Sequence, residues 1–185
     1  LGAWYAPATG NPLSDETLKE GLDVLQDALD ALAPQPPVFV HRDFHAENLF
    51  WLSDQSVGVI DFQDARAGHP AYDLVSLLED ARRDTDPGLL GQMTRRLATA
   101  TGLSDAALTT AAAGSGAQRN MKILGIFARL ARRDGKLKYL SHMPRVWRHL
   151  ERELSDPALA RLEPWVKRHI APPTTATLAR IQVPQ

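Results

Sequence analysis

Cysteine is absent from this chain of 185 residues, and its positive and negative charges nearly cancel. Without cysteine the chain forms no disulfide bond and has no thiolate to act as a nucleophile or metal ligand. A net charge of −1 provides no overall field that would favour nucleic acid or an anionic membrane as a partner. No apolar run approaches the roughly 18 residues of a membrane-spanning helix, and no signal peptide is visible. We therefore expect a globular cytoplasmic protein that binds neither nucleic acid nor membrane.

The spacing of apolar residues predicts a mainly helical chain. Ser14 is a suitable N-cap, and leucines then recur at alternating intervals of four and three up to Leu32, before a proline-rich segment at 34–37 that stops the helix. The segment Gly114-Ser115-Gly116 predicts a break or a kink in one of the later helices. These later helices are predicted over residues 72–83, 87–102, 104–135, 146–154 and 159–169.

A small β element interrupts this helical pattern. Val38–Val40 reads as a short strand that leads into the loop 41–48, and the segments 48–52 and 57–61 flank a polar turn and read as a β-hairpin. The hairpin brings Asn48 and Asp61 to the same end of the sheet. The predicted fold class is therefore α+β, mainly α, with helices around a small hairpin.

Two motifs in this element indicate a phosphoryl-transfer site. Residues 41–48 read His-Arg-Asp-Phe-His-Ala-Glu-Asn and match H-R-D-x-x-x-x-N, while residues 60–62 read Ile-Asp-Phe and match most of D-F-G. Aspartate and asparagine are also common turn residues, but turn chemistry does not predict a second matched motif in the expected order. The pair of motifs favours the catalytic half of a kinase.

The chemistry of phosphoryl transfer explains the residue types. The reaction needs an acceptor hydroxyl whose proton is accepted, and Mg²⁺ to neutralise the charge of the ATP phosphates. Asp43 is placed to accept that proton. The carbonyl oxygen of Asn48 and the carboxylate of Asp61 are hard oxygen ligands of the kind that Mg²⁺ prefers.

Residues 38–83 resemble the aminoglycoside phosphotransferase/choline kinase superfamily. His45 gives the H-x-D-x-H-x-x-N form of small-molecule kinases, Gln63 stands where D-F-G has glycine, and no A-P-E triplet follows. The segments 61–64, 72–78 and 118–129 are similar to the bacterial cell-wall amino-sugar kinases, which phosphorylate the anomeric hydroxyl of N-acetylmuramate or N-acetylglucosamine. This second resemblance extends over about residues 38–169.

The resemblance implies a role for each matching residue. Asp43 corresponds to the catalytic base, and Asn48 and Asp61 correspond to the magnesium ligands. His41 begins the same loop and is expected to brace it. Asp73 matches a buried carboxylate that holds the catalytic loop in the family.

The small-molecule acceptor is less well defined. The candidate substrate contacts are His45, for which bracing of the loop is an equal alternative, and Asp64 and Arg66, which follow the metal aspartate. An N-acetyl amino sugar is the first choice of acceptor, and an aminoglycoside or another small alcohol is the alternative.

One half of the family pattern is missing from this sequence. The family has an N-terminal lobe with a phosphate-binding lysine, but the chain contains neither a V-A-I-K-like strand nor a glycine-rich loop ahead of the site. We expect a linker over residues 1–13, a kinase-like C-terminal lobe over 14–170 and a loose Pro/Thr-rich tail over 171–185. The nucleotide lobe is expected to have been cut away or to belong to a separate chain. Without it, this chain is expected to bind ATP weakly and to be an inactive fragment.

Two other functions fit parts of the sequence. If residues 41–45 formed a strand, His41, Asp43 and His45 would face one side, and Asp61 could complete a transition-metal site of a metallohydrolase. Alternatively, the chain is a kinase lobe kept for binding without catalysis. The intact motif residues weigh against that second alternative.

Overall fold

A computed structural model describes residues 1–32 and 36–182. The described residues form eight α-helices and four short strands, which agrees with the predicted mainly helical α+β class. The helices are α1 (Tyr5–Ala8), α2 (Asp15–Asp30), α3 (Ala71–Leu78), α4 (Pro87–Thr101), α5 (Asp105–Arg132), α6 (Met143–Leu154), α7 (Leu162–His169) and α8 (Thr175–Gln182). The strands are β1 (Val38–Val40), β2 (Leu49–Trp51), β3 (Val57–Val59) and β4 (Arg66–Gly68). None of these helices combines the length and the apolar character needed to cross a membrane.

The chain divides into two compact units. Residues 1–31 and 117–185 form the first, here called the helical unit, and residues 32–116 form the second, here called the site unit. The predicted break at Gly114–Gly116 does not occur, because α5 continues through these residues as a regular helix.

In the helical unit, α2 begins as predicted and packs on α7. The Ser14 side chain accepts a hydrogen bond from the Thr17 backbone N–H, which caps the first turn. The predicted apolar face is only partly correct, because Leu22 is exposed while Gly21 is buried. A Cβ at Gly21 would lie 2.3 Å from Cζ2 of Trp165, so the helix can approach this indole only without a side chain there. Pro34, one of the residues predicted to stop α2, lies outside the described residues.

The two ends of the helical unit are packed rather than loose. The predicted linker contains α1, in which Tyr5 is fully buried and its hydroxyl donates a 2.7 Å hydrogen bond to the Ala171 carbonyl. The predicted tail contains α8, whose Ile181 is fully buried. Burial also raises the pKa of Tyr5, so this phenol stays protonated. The expectation of an unstructured tail was therefore wrong for residues 175–182.

The site unit contains two antiparallel pairs of strands and the first part of helix α5. Strand β2 pairs with β3 through Leu49 opposite Val59, which confirms the predicted hairpin. Strand β1 pairs with β4, which the sequence did not predict, and places Val40 opposite Arg66. Helices α3, α4 and α5 enclose an apolar cluster formed by Ala71, Val75, Ala98, Leu108, Ala111 and Ala112. Helix α3 ends at Leu78, five residues before the predicted end at residue 83.

Candidate active site

The loop 41–48 begins where β1 ends, and Asp73 of α3 holds its first residues. The Asp73 carboxylate accepts the backbone N–H of His41 at 2.6 Å through Oδ2 and that of Arg42 at 2.9 Å through Oδ1. Arg42 adopts a left-handed conformation with φ of 72°, which costs a residue other than glycine about 1–2 kcal/mol. Two hydrogen bonds to an ionised acceptor are strong enough to offset that cost. The Asp73 carboxylate thus fixes the turn that leads into Asp43.

Asn48 closes the same loop onto Asp43. The Asn48 side-chain Nδ2 donates to the Asp43 backbone carbonyl at 2.9 Å and lies 3.5 Å from Asp43 Oδ2. Since Nδ2 is committed to these acceptors, the carbonyl oxygen Oδ1 is the atom of this amide that can bind a cation. Asn48 is buried, whereas the side chain of Asp43 is 54% exposed and accessible to a substrate.

His41 and the backbone of Asn48 both reach the strand end that precedes Asp61. The His41 Nε2 lies 2.8 Å from the Ile60 carbonyl oxygen, so this nitrogen carries the proton and donates. The Ile60 N–H in turn donates to the Asn48 backbone carbonyl at 3.1 Å. Asp61 therefore follows directly on a residue that is hydrogen-bonded to Asn48, as the predicted hairpin requires.

Asp61 is exposed and held in an uncommon conformation. Its φ is 65°, in the left-handed region that aspartate tolerates better than most residues. Gln63, which replaces the glycine of D-F-G, donates from Nε2 to Asp61 Oδ1 at 3.1 Å. Backbone strain of this kind often lies at functional sites, and in the described part of the chain two of the three left-handed residues other than glycine, Arg42 and Asp61, belong to the site.

The three candidate substrate contacts lie in different surroundings. His45 is buried, and its Nε2 lies 3.3 Å from Asp43 Oδ2, so it stands behind the carboxylate rather than on an open surface. This position favours the bracing alternative for His45. Asp64 and Arg66 are exposed, and the Asp64 backbone carbonyl accepts a 3.3 Å hydrogen bond from Arg42 Nη1.

The metal trio of the metallohydrolase alternative is not formed. Residues 41–45 do not form a strand, and the left-handed Arg42 breaks the alternation that would align the three side chains. His41 Nε2 is used by the Ile60 carbonyl. Across residues 1–32 and 36–182, no three His, Asp or Glu side chains are grouped closely enough to hold a metal ion.

Sequence reasoning missed an ionic cluster at the other end of the loop. Glu47 lies in the 3-10 turn Ala46–Asn48, and its Oε2 is 3.2 Å from Nε of Arg82. Arg82 also contacts Asp80, whose carboxylate is almost completely buried. The run of charges at residues 79–83 is visible in the sequence, but it was read as part of a longer α3.

His69 caps the helix that carries Asp73. The His69 Nδ1 accepts the Ala71 backbone N–H at 3.1 Å, at the first residue of α3. An acceptor at Nδ1 requires the neutral ring, and burial lowers the pKa of His69, which favours that form.

Comparison with known proteins identifies the family of this chain. Residues 2–109 match the model of the phosphotransferase enzyme family, and the chain belongs to that family. It is 46% identical over 138 residues to the N-acetylmuramate/N-acetylglucosamine kinase of Caulobacter vibrioides, an alignment that covers 72% of this chain and 38% of that protein. It is 38% identical over 168 residues to the enzyme of the same name from Pseudomonas aeruginosa, which covers 86% of this chain and 49% of that protein.

A third relative gives the same result. The N-acetylmuramate/N-acetylglucosamine kinase of Neisseria meningitidis serogroup B is 41% identical over 138 residues, which cover 69% of this chain and 41% of that protein. The chain thus spans between about two fifths and one half of the length of these curated relatives. The resemblance read from the motifs at 38–83 is confirmed at the level of the family.

Proposed function

We propose that this chain is the acceptor-side, catalytic part of an ATP-dependent small-molecule kinase. The observation that carries the proposal is the closed loop 41–48, in which Asn48 is hydrogen-bonded to Asp43 while the hairpin brings Asp61 alongside. Asp43 is an exposed carboxylate of this loop, hydrogen-bonded to Asn48, and accepts the proton of the acceptor hydroxyl. His45 behind it and Asp73 at the loop entry hold that carboxylate in place.

The donor set fits a magnesium ion. Asn48 offers one amide oxygen and Asp61 one carboxylate, and Mg²⁺ in kinases takes its other ligands from phosphate and water. When bound, Mg²⁺ and ATP supply the phosphoryl group and the positive charge that neutralises it. Gln63 orients the Asp61 carboxylate through its hydrogen bond to Oδ1.

We further propose that a nucleotide lobe outside residues 1–185 completes the enzyme. The sequence offers no strand with a phosphate-binding lysine, and the matched segments cover only 38% and 49% of the first two relatives. The site unit also exposes several large apolar side chains close in sequence to the site, namely Phe39, Phe50, Trp51, Leu52, Ile60 and Phe62. Clusters of exposed apolar side chains of this kind mark surfaces that another element covers.

The acceptor that we propose is an N-acetyl amino sugar, phosphorylated on its anomeric hydroxyl. Support comes from the names of the relatives and from the segments 61–64, 72–78 and 118–129, which resemble the cell-wall amino-sugar kinases. An aminoglycoside or another small alcohol is the competing acceptor within the same family.

The test is phosphate transfer by the full-length protein with ATP and Mg²⁺. N-acetylglucosamine and N-acetylmuramate are expected to be phosphorylated and to lose their reducing end, which a ³¹P spectrum and a reducing-sugar assay detect together. The 1-O-methyl glycoside of N-acetylglucosamine is the matched control, because it differs only in the blocked anomeric oxygen and should remain unphosphorylated. Transfer to this glycoside at the same rate would contradict the anomeric position, and transfer to kanamycin alone would contradict the sugar.

A further inference from the structure

The loop 41–48 is attached to the rest of the site unit at both of its ends. Asp73 holds the first residues through two backbone hydrogen bonds. At the other end, Arg82 lies between Glu47 of the 3-10 turn and Asp80, with Nε 3.2 Å from Glu47 Oε2 and Nη1 3.3 Å from Asp80 Oδ1. Glu47 directly precedes Asn48 in the turn.

Buried Asp80 holds Arg82 in the position in which Arg82 contacts Glu47. Its side chain is 1% exposed, and a buried carboxylate must be compensated by positive charge and hydrogen-bond donors. The Arg82 backbone N–H donates to Asp80 Oδ1 at 3.0 Å, and Nε of Arg83 forms an ion pair at 3.4 Å with Oδ2. Arg82 is thus held at its backbone and at its guanidinium. A pre-positioned guanidinium loses less rotational freedom when it pairs with Glu47 than a free surface arginine does.

We propose that Arg82 is a positioning residue for Asn48, acting through Glu47 and the 3-10 turn. The inference deepens the proposed function and rests on it, because Asn48 is the amide whose oxygen is proposed to bind the metal ion. Asp73 and Arg82 then have distinct tasks. Asp73 fixes the backbone conformation that leads into Asp43, and Arg82 fixes the 3-10 turn that orients the Asn48 side-chain amide.

The experiment compares three single variants and one double variant of the full-length protein. Arg82→Ala removes the link, and Glu47→Gln removes its charge on the loop side while leaving the compensation of buried Asp80 intact. Arg83→Ala is the matched control, because the ion pair that Arg83 makes within the described part of the chain is with Asp80. Two quantities are measured: amide hydrogen exchange in peptides covering 41–43 and 45–49, and the affinity for Mn²⁺ in the presence of ATP by electron paramagnetic resonance.

The link predicts a localised response. Exchange in the 45–49 peptide should accelerate about 2- to 5-fold in Glu47→Gln, as expected for a partly exposed ion pair, while the 41–43 peptide keeps its wild-type rate. Binding of Mn²⁺ should weaken about 5-fold, below the 10- to 100-fold typical of groups that hydrogen-bond directly to a metal ligand, because Glu47 acts through the turn. Arg82→Ala should show the same pattern, and the Glu47→Gln/Arg82→Ala double variant should bind Mn²⁺ no more weakly than Arg82→Ala.

The measurements distinguish the proposed role of Arg82 from the alternatives. Wild-type exchange and Mn²⁺ affinity in Glu47→Gln would overturn the inference, even if Arg82→Ala fails to fold because Asp80 is left unpaired. An equal effect of Arg83→Ala would also overturn it, since that result assigns the effect to Asp80 alone. A wild-type protein that transfers no phosphate to any sugar would refute the proposed function, while the exchange rates of the 45–49 peptide would still decide the role of Arg82.

Discussion

Replacing Asp73 tests most sharply how the loop at 41–48 is held. Its carboxylate accepts two backbone hydrogen bonds, from His41 at 2.6 Å and from Arg42 at 2.9 Å. A hydrogen bond to a charged group contributes about 1.5–3 kcal/mol, and both of these are only partly buried, so water recovers some of the loss. We expect Asp73→Ala to lower the free energy of unfolding by about 3 kcal/mol.

Asp73→Asn should have a smaller effect of the same kind. The amide keeps one acceptor oxygen but turns a donor toward one of the two N–H groups, so about half of the loss in Asp73→Ala is expected, near 1.5 kcal/mol. The loop that carries Asp43 would shift, and a misplacement of about 1 Å lowers turnover by about 100-fold. The KM for the acceptor should change little by comparison.

The measurement is urea unfolding of the full-length protein together with amide exchange at residues 41 and 42. Asp105→Asn is the matched control, because it removes an exposed carboxylate in the first turn of α5 and should change stability by no more than about 0.5 kcal/mol. If Asp73→Ala unfolds at the wild-type urea concentration, or if residues 41 and 42 keep their protection, the two bonds do not hold the loop and this reasoning is refuted.

Three further predictions test other parts of the structure. Gly21→Ala would place a Cβ 2.3 Å from Trp165 and should destabilise the protein by about 1–3 kcal/mol in thermal unfolding. The control is Gly91→Ala, whose Cβ would have its nearest contact at 3.6 Å and which should stabilise the protein by about 0.5–1 kcal/mol. Equal effects of the two variants would contradict the packing of Gly21 on Trp165. Gln55→Gly relieves a left-handed residue with φ of 65° and should raise the unfolding free energy by about 1 kcal/mol without affecting turnover. Burial lowers the pKa of His69 below its usual value of 6.5, so its contribution to stability is present above pH 6.5 and is lost as the pH falls from there through the lowered pKa of the folded state. Urea unfolding of His69→Asn should therefore show a weaker loss between pH 7.5 and 5.5 than the wild type, and parallel curves would contradict this.

The loop part of the site could be predicted from the sequence because the residues that carry its chemistry are neighbours in the chain. Eight residues, 41–48, carry the proposed base, one candidate ligand and the turn that joins them, and the hairpin register follows from the polar turn at 53–56. The role of Asp73 required the family resemblance, since nothing in α3 itself shows that its carboxylate meets the backbone of residues 41 and 42. That contact joins residues about thirty positions apart.

Other features depend on tertiary packing that local patterns do not reveal. Strand β4 reads Arg-Ala-Gly, which has no strand propensity and is extended because it pairs with β1. Helix α8 was missed because its Thr-rich composition resembles a tail, yet Ile181 anchors it. The buried Asp80 was missed because charged residues are normally exposed, and its burial depends on Arg82 and Arg83.

The proposal that Asp43 accepts the proton of a sugar hydroxyl is tested most directly by an Asp43→Asn variant of the full-length protein. The initial rate of phosphate transfer from ATP to N-acetylglucosamine is measured for this variant and for the control variant Asp54→Asn. Asp54 is an exposed carboxylate in the turn between β2 and β3, at the opposite end of that hairpin from Asn48. We predict that Asp43→Asn lowers kcat by at least about 100-fold while Asp54→Asn keeps the wild-type rate. An Asp43→Asn enzyme that turns over near the wild-type rate would contradict the assignment of the catalytic base.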